Sequence, residues 1–311
     1  MIDLGLIIAR FLHYAATTTL AGVSFFPLYA CAGAEPETLA RWRKKLLLAA
    51  AVVALLSGLG WFAFAVANMS GALADLADSE VVLSVMRDTG FGIVWTVRMI
   101  IAVAMVVAAT MQVSSRATVG QDLITSFLAA GLLASLAGVG HSQIEEGWAS
   151  VLHVTADAAH LVAAGAWLGG LAPLGFILLG YARTKPEAGS WDVDGVLLRF
   201  SGMGYAAVAT LVGTGLVNSW LLVGSVSGLL QTSYGRILLG KLVFFAGMLA
   251  LATANRFWLV PGMEAARAAG PGDRELWRSR LRTHVLGEQA LGLLVLLSVS
   301  VLGTIRPAIG Q

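Results

Sequence analysis

Two histidines and an aspartate lie at helical spacing within one apolar segment of the chain. His153, Asp157 and His160 fall between Val151 and Leu179 in an i, i+4, i+7 pattern, so an α-helix projects all three from one face. Ionisable side chains are costly in hydrocarbon and often mark functional sites there. Imidazole and carboxylate groups are also ligands of transition metals. The pattern predicts a metal or cofactor site; the alternative is a polar helix face that hydrogen-bonds neighbouring helices.

The composition is that of an integral membrane protein. Of 311 residues, 58% are hydrophobic and 12% are charged, whereas a soluble domain has about 25% charged residues. The net charge of +2, without a basic aromatic patch, gives no indication of nucleic-acid binding. The single cysteine, Cys31, excludes an intrachain disulfide. The first apolar segment is longer than the core of a signal peptide, so we expect no cleavable leader.

Apolar runs long enough to cross a bilayer as helices need about 20 residues each. The fold class expected is therefore all-α, a polytopic membrane bundle of about eight transmembrane helices. We divide this one continuous membrane domain into an N-terminal three-helix part, residues 1–122, and a five-helix core, residues 123–311. The predicted spans are Leu4–Tyr29, Leu46–Asn68, Gly92–Met111, Leu123–Gly140, Val151–Leu179, Phe200–Val223, Ile237–Leu259 and Val285–Ile305.

The loops alternate in their content of lysine and arginine, which predicts the orientation. Basic residues concentrate in the odd-numbered loops, which by the positive-inside rule are cytoplasmic. The fourth loop, by contrast, has no Lys or Arg and carries Glu145 and Glu146. Both termini are expected outside, and the first turns of the fifth helix are expected near the outer surface. The basic residues of the first and seventh loops are Arg41, Arg43, Lys44, Lys45, Arg256, Arg267, Arg274, Arg278, Arg280 and Arg282.

This orientation places other polar residues at similar depth. His141 directly follows the fourth helix and His13 lies in the first, so either could join the histidines of the fifth helix. A second set of residues, each predicted to be structural or to face an anion, also lies in the outer third: Arg10, Arg98 and Lys241. In the inner half, Glu288 lies one turn after His284 and either pairs with a neighbouring cation or serves a cation or proton step in transport.

The fifth helix and the segments around it resemble the copper-resistance D (CopD) family. The likeness begins with His153 and His160, followed by Trp167-x-Gly169-Gly170-Leu171, and includes the preceding Gly140-His141. It extends from Gly140 to Pro307. Further matching residues are Arg199-Phe200-Ser201, Gly215, Asn218, Thr232-Ser233-Tyr234-Gly235-Arg236, Leu239-Gly240-Lys241, Asn255-Arg256, Glu288, Leu302-Gly303 and Pro307.

The resemblance implies a multi-pass protein of the bacterial inner membrane that handles copper and moves it from periplasm toward cytoplasm. On this hypothesis His153, His160, His141 and His13 bind the copper ion, and Asp157 and Trp167 support the ligands. Copper and membrane lipid are the expected partners, together with a separate periplasmic copper carrier. The sequence has no nucleotide-binding motif, so transport would be passive or coupled to an ion gradient.

Two alternatives remain open from the sequence. Facing histidines from two helices could ligate haem b in an electron-transfer protein, which would make the chain an oxidoreductase rather than a transporter. Because His153 and His160 share one helix face, that arrangement needs His13 or His141 on the opposite side. The other alternative is an assembly or sensor subunit that holds copper without transporting it.

Overall fold

A computed structural model of the chain describes residues 2–33, 35–114, 118–139, 147–180, 192–269 and 271–310. All regular elements in these ranges are helical, and eight helices are long and apolar enough to cross a membrane. The all-α polytopic prediction is therefore confirmed. The spans are α1 (Ile2–Ala30), α2 (Glu37–Ser70), α3 (Gly90–Ser114), α4 (Val119–Val139), α5 (Gly147–Leu179), α6 (Val193–Val223), α7 (Ser233–Ala266) and α8 (Glu275–Leu302).

Several helices extend beyond these apolar windows, and short helices occupy some of the connections. The helix of α7 continues to Ala269, and that of α8 starts at Pro271. The last turn of α4, Ser135–Val139, is a 3₁₀ turn. The short helices are Leu73–Ala77, Ser79–Asp88, Val226–Gln231 and Ala308–Gly310.

Hydroxyl and carboxylate side chains cap the starts of three spans. Thr118 accepts from the backbone N–H of Gln121 at the start of α4, Asp192 accepts from Gly195 at α6, and Thr232 accepts from Gly235 at α7. The first N–H groups of a helix have no partner within it, and a cap of this kind satisfies one of them. These residues therefore fix where each helix begins.

Helix α1 lies at the centre of the bundle and packs against α2, α4, α5, α6 and α8. Its approach to α5 depends on two glycines. A Cβ atom added to Gly22 would collide with the backbone of Gly169, and one added to Gly169 would collide with the carbonyl oxygen of Thr18. Two backbones can come this close only where both lack side chains.

The buried apolar residues form two main clusters that meet along α1. One joins α1 to α2, α3 and α4 and includes Leu20, Trp61 and Trp95. The other joins the inner surfaces of α5 to α8 and includes Trp167 and Val285.

Prolines interrupt the backbone hydrogen bonding of three spans. Pro27 in α1 has no N–H for the carbonyl oxygen of Val23, which instead accepts from Nη1 of Arg43 at 3.2 Å. In α5 and α7, π-helical turns at Gly165–Gly169 and Asn255–Leu259 precede Pro173 and Pro261. Such turns are rare and recur at functional sites.

Arg43 also organises the end of the bundle where α2 begins. It is fully buried and binds Oε1 of Glu35 at 2.7 Å and Oδ1 of Asp122 at 2.9 Å. Gln112 donates to the same Asp122 oxygen at 2.8 Å. This network joins the α1–α2 connection to α3 and α4 with one guanidinium and two carboxylates.

Candidate functional site

His160 on α5 has a defined tautomer because of its contact with α6. Its Nδ1 lies 2.9 Å from Oγ1 of Thr214, and the Thr214 hydroxyl donates its proton to the carbonyl oxygen of Thr210 at 2.6 Å. A hydroxyl that donates to Thr210 accepts from the imidazole, and this pairing assigns the hydrogen to Nδ1 and the lone pair to Nε2. Metal-binding histidines have this arrangement, with one nitrogen donating to an oxygen and the other ligating.

Asp157 lies one turn before His160 and also contacts α6. Nδ2 of Asn218 donates to Oδ1 of Asp157 at 3.3 Å. The amide oxygen of Asn218 is buried and has no hydrogen-bond partner in the described part of the chain. Asp157 also interacts electrostatically with Lys241 of α7 and with His153. The α5 face thus meets an amide and a hydroxyl of α6 and a cation of α7.

His153 and His141 are also predicted ligands at this face, and of these two the structure describes His153. His153 is buried, 2% exposed, on the same side of α5 as Asp157. His141 lies outside the described residues. Among the described residues, no three His, Cys, Asp or Glu side chains come together in a group that could hold a metal ion. The predicted set of four histidine ligands therefore stays a prediction.

His13 lies in a different environment, between α1, α2 and α3. Its Nδ1 lies 3.0 Å from the carbonyl oxygen of Ala54, which can only accept, so Nδ1 carries the hydrogen. Its Nε2 accepts from Nη2 of Arg98 at 2.6 Å. Both ring nitrogens are therefore used, and a metal could bind His13 only if Arg98 moved away.

The predicted arginines flank two tryptophans beside His13. Arg98 donates to the Leu132 carbonyl oxygen at 2.7 Å and to Ser135 Oγ at 2.6 Å, and it lies over Trp95. Arg10 lies over Trp61, 4.8 Å from the ring centroid, and its Nε and Nη1 have no partner within the described ranges. A structural role is evident for Arg98, and the anion-facing role of both arginines stays a prediction.

A second polar group lies in the half of α7 and α8 remote from His160. Glu288 is 2% exposed, and its Oε1 accepts from Nδ2 of Asn255 at 2.6 Å. Oδ1 of Asn255 accepts from Nδ1 of His284 at 2.9 Å. Asn255 therefore bridges Glu288 and His284. The role of Glu288 in a cation or proton step stays a prediction.

A cavity of about 160 Å³ lies beside Glu288 and Asn255, which line it. Trp167 also forms part of its wall and packs edge-on against Phe245, with 6.1 Å between ring centroids. The predicted support of the copper ligands by Trp167 stays a prediction.

Comparison with known proteins decides the family. Residues 1–151 match the family described as Copper resistance protein D-like, N-terminal domain, and residues 194–302 match Copper resistance protein D. Copper resistance protein D of Pseudomonas syringae pv. tomato is 32% identical over 303 residues, which cover 97% of this chain and 96% of that protein. The chain belongs to the copper resistance protein D family. This confirms the family that the sequence resemblance indicated.

Two further relatives of this family member place it in the membrane and in copper biology. Inner membrane protein YebZ of Escherichia coli (strain K12) is 29% identical over 302 residues, covering 96% of this chain and 97% of that protein. Copper transport protein CutJ of Bacillus subtilis (strain 168) is 25% identical over 294 residues, covering 94% of this chain and 51% of that protein. No solved structure matches the chain. The protein is a copper-related, multi-pass inner-membrane protein.

Sequence reasoning about this family member missed partners rather than helices. Neither Thr214 nor Tyr14 was predicted from the sequence. Thr214 contacts Nδ1 of His160, and Tyr14 packs against Trp61 with 5.5 Å between the ring centroids. Asn218 belongs to the matching blocks, but its contact with Asp157 could not be read from them. The only available signal for Thr214 was its position inside an apolar span, which many structural threonines share.

The described residues do not offer the facing histidine pair that haem b requires. His13 bonds through both nitrogens to α2 and α3, and His153 and His160 lie on one helix. His141, the other residue that the haem hypothesis could use, lies outside the described residues. The haem hypothesis therefore has no support from the described residues.

Proposed function

We propose that this protein carries copper across the inner membrane from periplasm to cytoplasm and that copper first binds at the α5 face of His153, Asp157 and His160. Family membership supports the metal. The loop charges support the direction, because they put the start of α5 on the periplasmic side. Copper reaching this face could come from a separate periplasmic carrier protein.

The observation that carries the proposal is the hydrogen bond between His160 and Thr214. It leaves Nε2 of His160 as the ligating atom and holds the imidazole plane against α6. Metal-binding histidines commonly donate their other ring N–H to an oxygen in this way, which orients the ring and raises the basicity of the ligating nitrogen. Imidazole suits copper in both of its common oxidation states.

Asp157 and Asn218 bring oxygen atoms to the same contact between α5 and α6. The unpartnered amide oxygen of Asn218 is a buried acceptor, and such an acceptor is stabilised by a cation or a hydrogen-bond donor. Lys241 offsets the charge of Asp157 when no copper is bound. An arriving copper ion would compete with this lysine for the carboxylate, which keeps the empty site from holding an isolated buried charge.

Copper uptake into proteoliposomes tests the proposal. The wild-type protein should accumulate copper above protein-free vesicles, and His160→Ala should lower uptake to that background. Thr110→Val serves as the control, because Thr110 makes only an intrahelical bond to Val106 on an exposed surface. Uptake by His160→Ala at the wild-type rate would overturn the α5 site. Copper binding without uptake would instead indicate a subunit that holds copper.

A further inference from the structure

The cavity beside Glu288 lies between two helices that do not pack closely on each other. α6 packs mainly on α5, and α7 packs mainly on α8, so a gap separates α6 from α7. Lining residues from both helices border the gap, and two of them are exposed on the bundle surface, Tyr205 at 55% and Phe257 at 59%. Both belong to apolar spans. The cavity therefore opens sideways, toward the position of the lipid chains.

Glu288 lines this cavity, and one of its two carboxyl oxygens is without a hydrogen-bond partner among the described residues. Asn255 holds Oε1 of Glu288, whereas Oε2 has no hydrogen bond in the described part of the chain. Glu288 itself is 2% exposed, so bulk water does not solvate the carboxylate. A buried acceptor in this state gains a bond from any ligand that brings a donor.

The remaining lining residues indicate which other chemical groups a ligand of this cavity needs. Most lining residues are apolar, and they include the aromatic rings of Trp167 and Phe200. A dry cavity of about 150 Å³ accommodates a benzene ring, and this one has about 160 Å³. Arg256 also lines it and makes no hydrogen bond or ion pair with the described residues, so its N–H groups can donate to a second ring oxygen.

A metal ion fits the cavity poorly. Glu288 is the single carboxylate among the described lining residues, and these include no histidine or cysteine. A lipid acyl chain also fits poorly, because it brings no hydrogen-bond donor for Oε2.

We propose that this cavity binds a lipid-soluble hydroquinone-type amphiphile, which enters between α6 and α7. One ring hydroxyl donates to Oε2 of Glu288, the second ring oxygen accepts from Arg256, and the tail extends through the gap into the bilayer. This binding is independent of copper, because His153, Asp157 and His160 do not line the cavity. It involves no electron transfer or bond breaking.

Calorimetric titration of the purified full-length protein, without copper and without oxygen, tests the binding. The two probes are a decyl-substituted dimethoxy hydroquinone and its bis-methyl ether, which has the same ring and tail but no O–H donor. The wild-type protein should bind the hydroquinone about tenfold more tightly than the ether, as expected for one hydrogen bond to a buried acceptor. Equal affinities, or no saturable binding of the hydroquinone, would overturn the proposal.

Two glycines of α6 give a matched pair of variants. A Cβ would meet nothing within 4 Å at either Gly204 or Gly202, but only Gly204 lines the cavity. Gly204→Leu should abolish hydroquinone binding, and Gly202→Leu should retain wild-type affinity. Glu288→Gln should bind both probes equally. Unchanged affinity in Gly204→Leu would refute the location even if Glu288→Gln failed to fold. Because no copper is present, these results do not depend on transport.

Discussion

Nη2 of Arg98 donates to Nε2 of His13 across 2.6 Å and joins α3 to α1 inside the bundle. The imidazole is neutral in this arrangement, since its Nδ1–H bonds the carbonyl oxygen of Ala54 and its other nitrogen accepts. Arg98 also bonds α4 through Leu132. His13 therefore connects helices, and this is a structural use of a residue that the sequence offered as a copper ligand.

Replacing His13 should cost stability and leave copper binding in place. His13→Leu removes the acceptor of Arg98 and leaves a buried donor unsatisfied, at a cost of about 1–3 kcal/mol. Chemical unfolding in detergent measures the loss, and metal analysis measures bound copper. His160→Leu is the matched variant and should show the reverse, with copper lost and a smaller change in stability. Loss of copper in His13→Leu at unchanged stability would make His13 a ligand.

The hydroxyl of Thr214 should matter for copper affinity although it is not a ligand. Thr214→Val keeps the shape but removes the acceptor for Nδ1 of His160, so the tautomer is no longer fixed. Loss of such a partner lowers metal affinity about 10- to 100-fold. Competitive copper titration against a chelator measures the change, with Thr110→Val as the control. Equal affinities in the two variants would show that the His160 tautomer does not govern binding.

The contact between α1 and α5 should tolerate no added methyl group. Gly22→Ala places a Cβ against the Gly169 backbone, so the two helices must separate. We expect a large loss of folded protein, measured as the monodisperse fraction in size-exclusion chromatography. Gly60→Ala is the control, since a Cβ there meets nothing within 4 Å. That variant should equal or exceed wild type, because alanine favours helix over glycine by about 1 kcal/mol.

Arg43 should be far more important than its neighbour Arg41. Arg43→Met leaves Glu35 and Asp122 without their buried cation, and removing one partner of a buried ion pair costs about 3–5 kcal/mol. Arg41 pairs with Glu37 at the surface, where the side chains are 65% and 84% exposed, so Arg41→Met should change little. Unfolding midpoints of the two variants provide the comparison. Similar midpoints would show that the network adds nothing to stability.

The reactivity of Cys31 should report on the same network. Burial, and then the charge of Glu35, raise the pKa of the Cys31 thiol to about 11. The thiol is therefore protonated at neutral pH, and its alkylation rate should rise about tenfold for each pH unit up to that value. Iodoacetamide labelling followed by mass spectrometry measures the rate. Glu35→Gln should speed labelling at pH 8, because it removes a charge that raises the pKa; an unchanged rate would contradict this electrostatic origin.

The sequence predicts the number and order of the spans better than their ends. α2 begins at Glu37 rather than at Leu46, and the helix of α8 begins at Pro271 rather than at Val285. Hydropathy detects the part of a helix that matches hydrocarbon, whereas the backbone hydrogen bonds continue into charged turns. Arg43 illustrates the difference, because it appears as a loop residue in the sequence yet is buried within α2.

The sequence predicts which residues of α5 share one face, but it does not predict which other helices they contact. Helical periodicity alone puts Asp157 and His160 on one side of α5. It does not identify the helix that faces them, so Thr214 and Asn218 could not be assigned, and His13 could not be separated from the α5 residues. Which helices adjoin depends on contacts such as Gly22 with Gly169, and these are set by tertiary packing.

The π-helical turn at Gly165–Gly169 determines how the side chains before it are oriented relative to those after it in α5. A π-turn holds an extra residue relative to the α-helix, and each residue of an α-helix advances the side chains by about 100°. If the same five residues were wound as ordinary α-helix, everything after them would rotate by about 100° relative to His160. The half of α5 that forms the cavity wall would then face a different neighbour. The wider π-turn therefore keeps the two halves of this helix aligned.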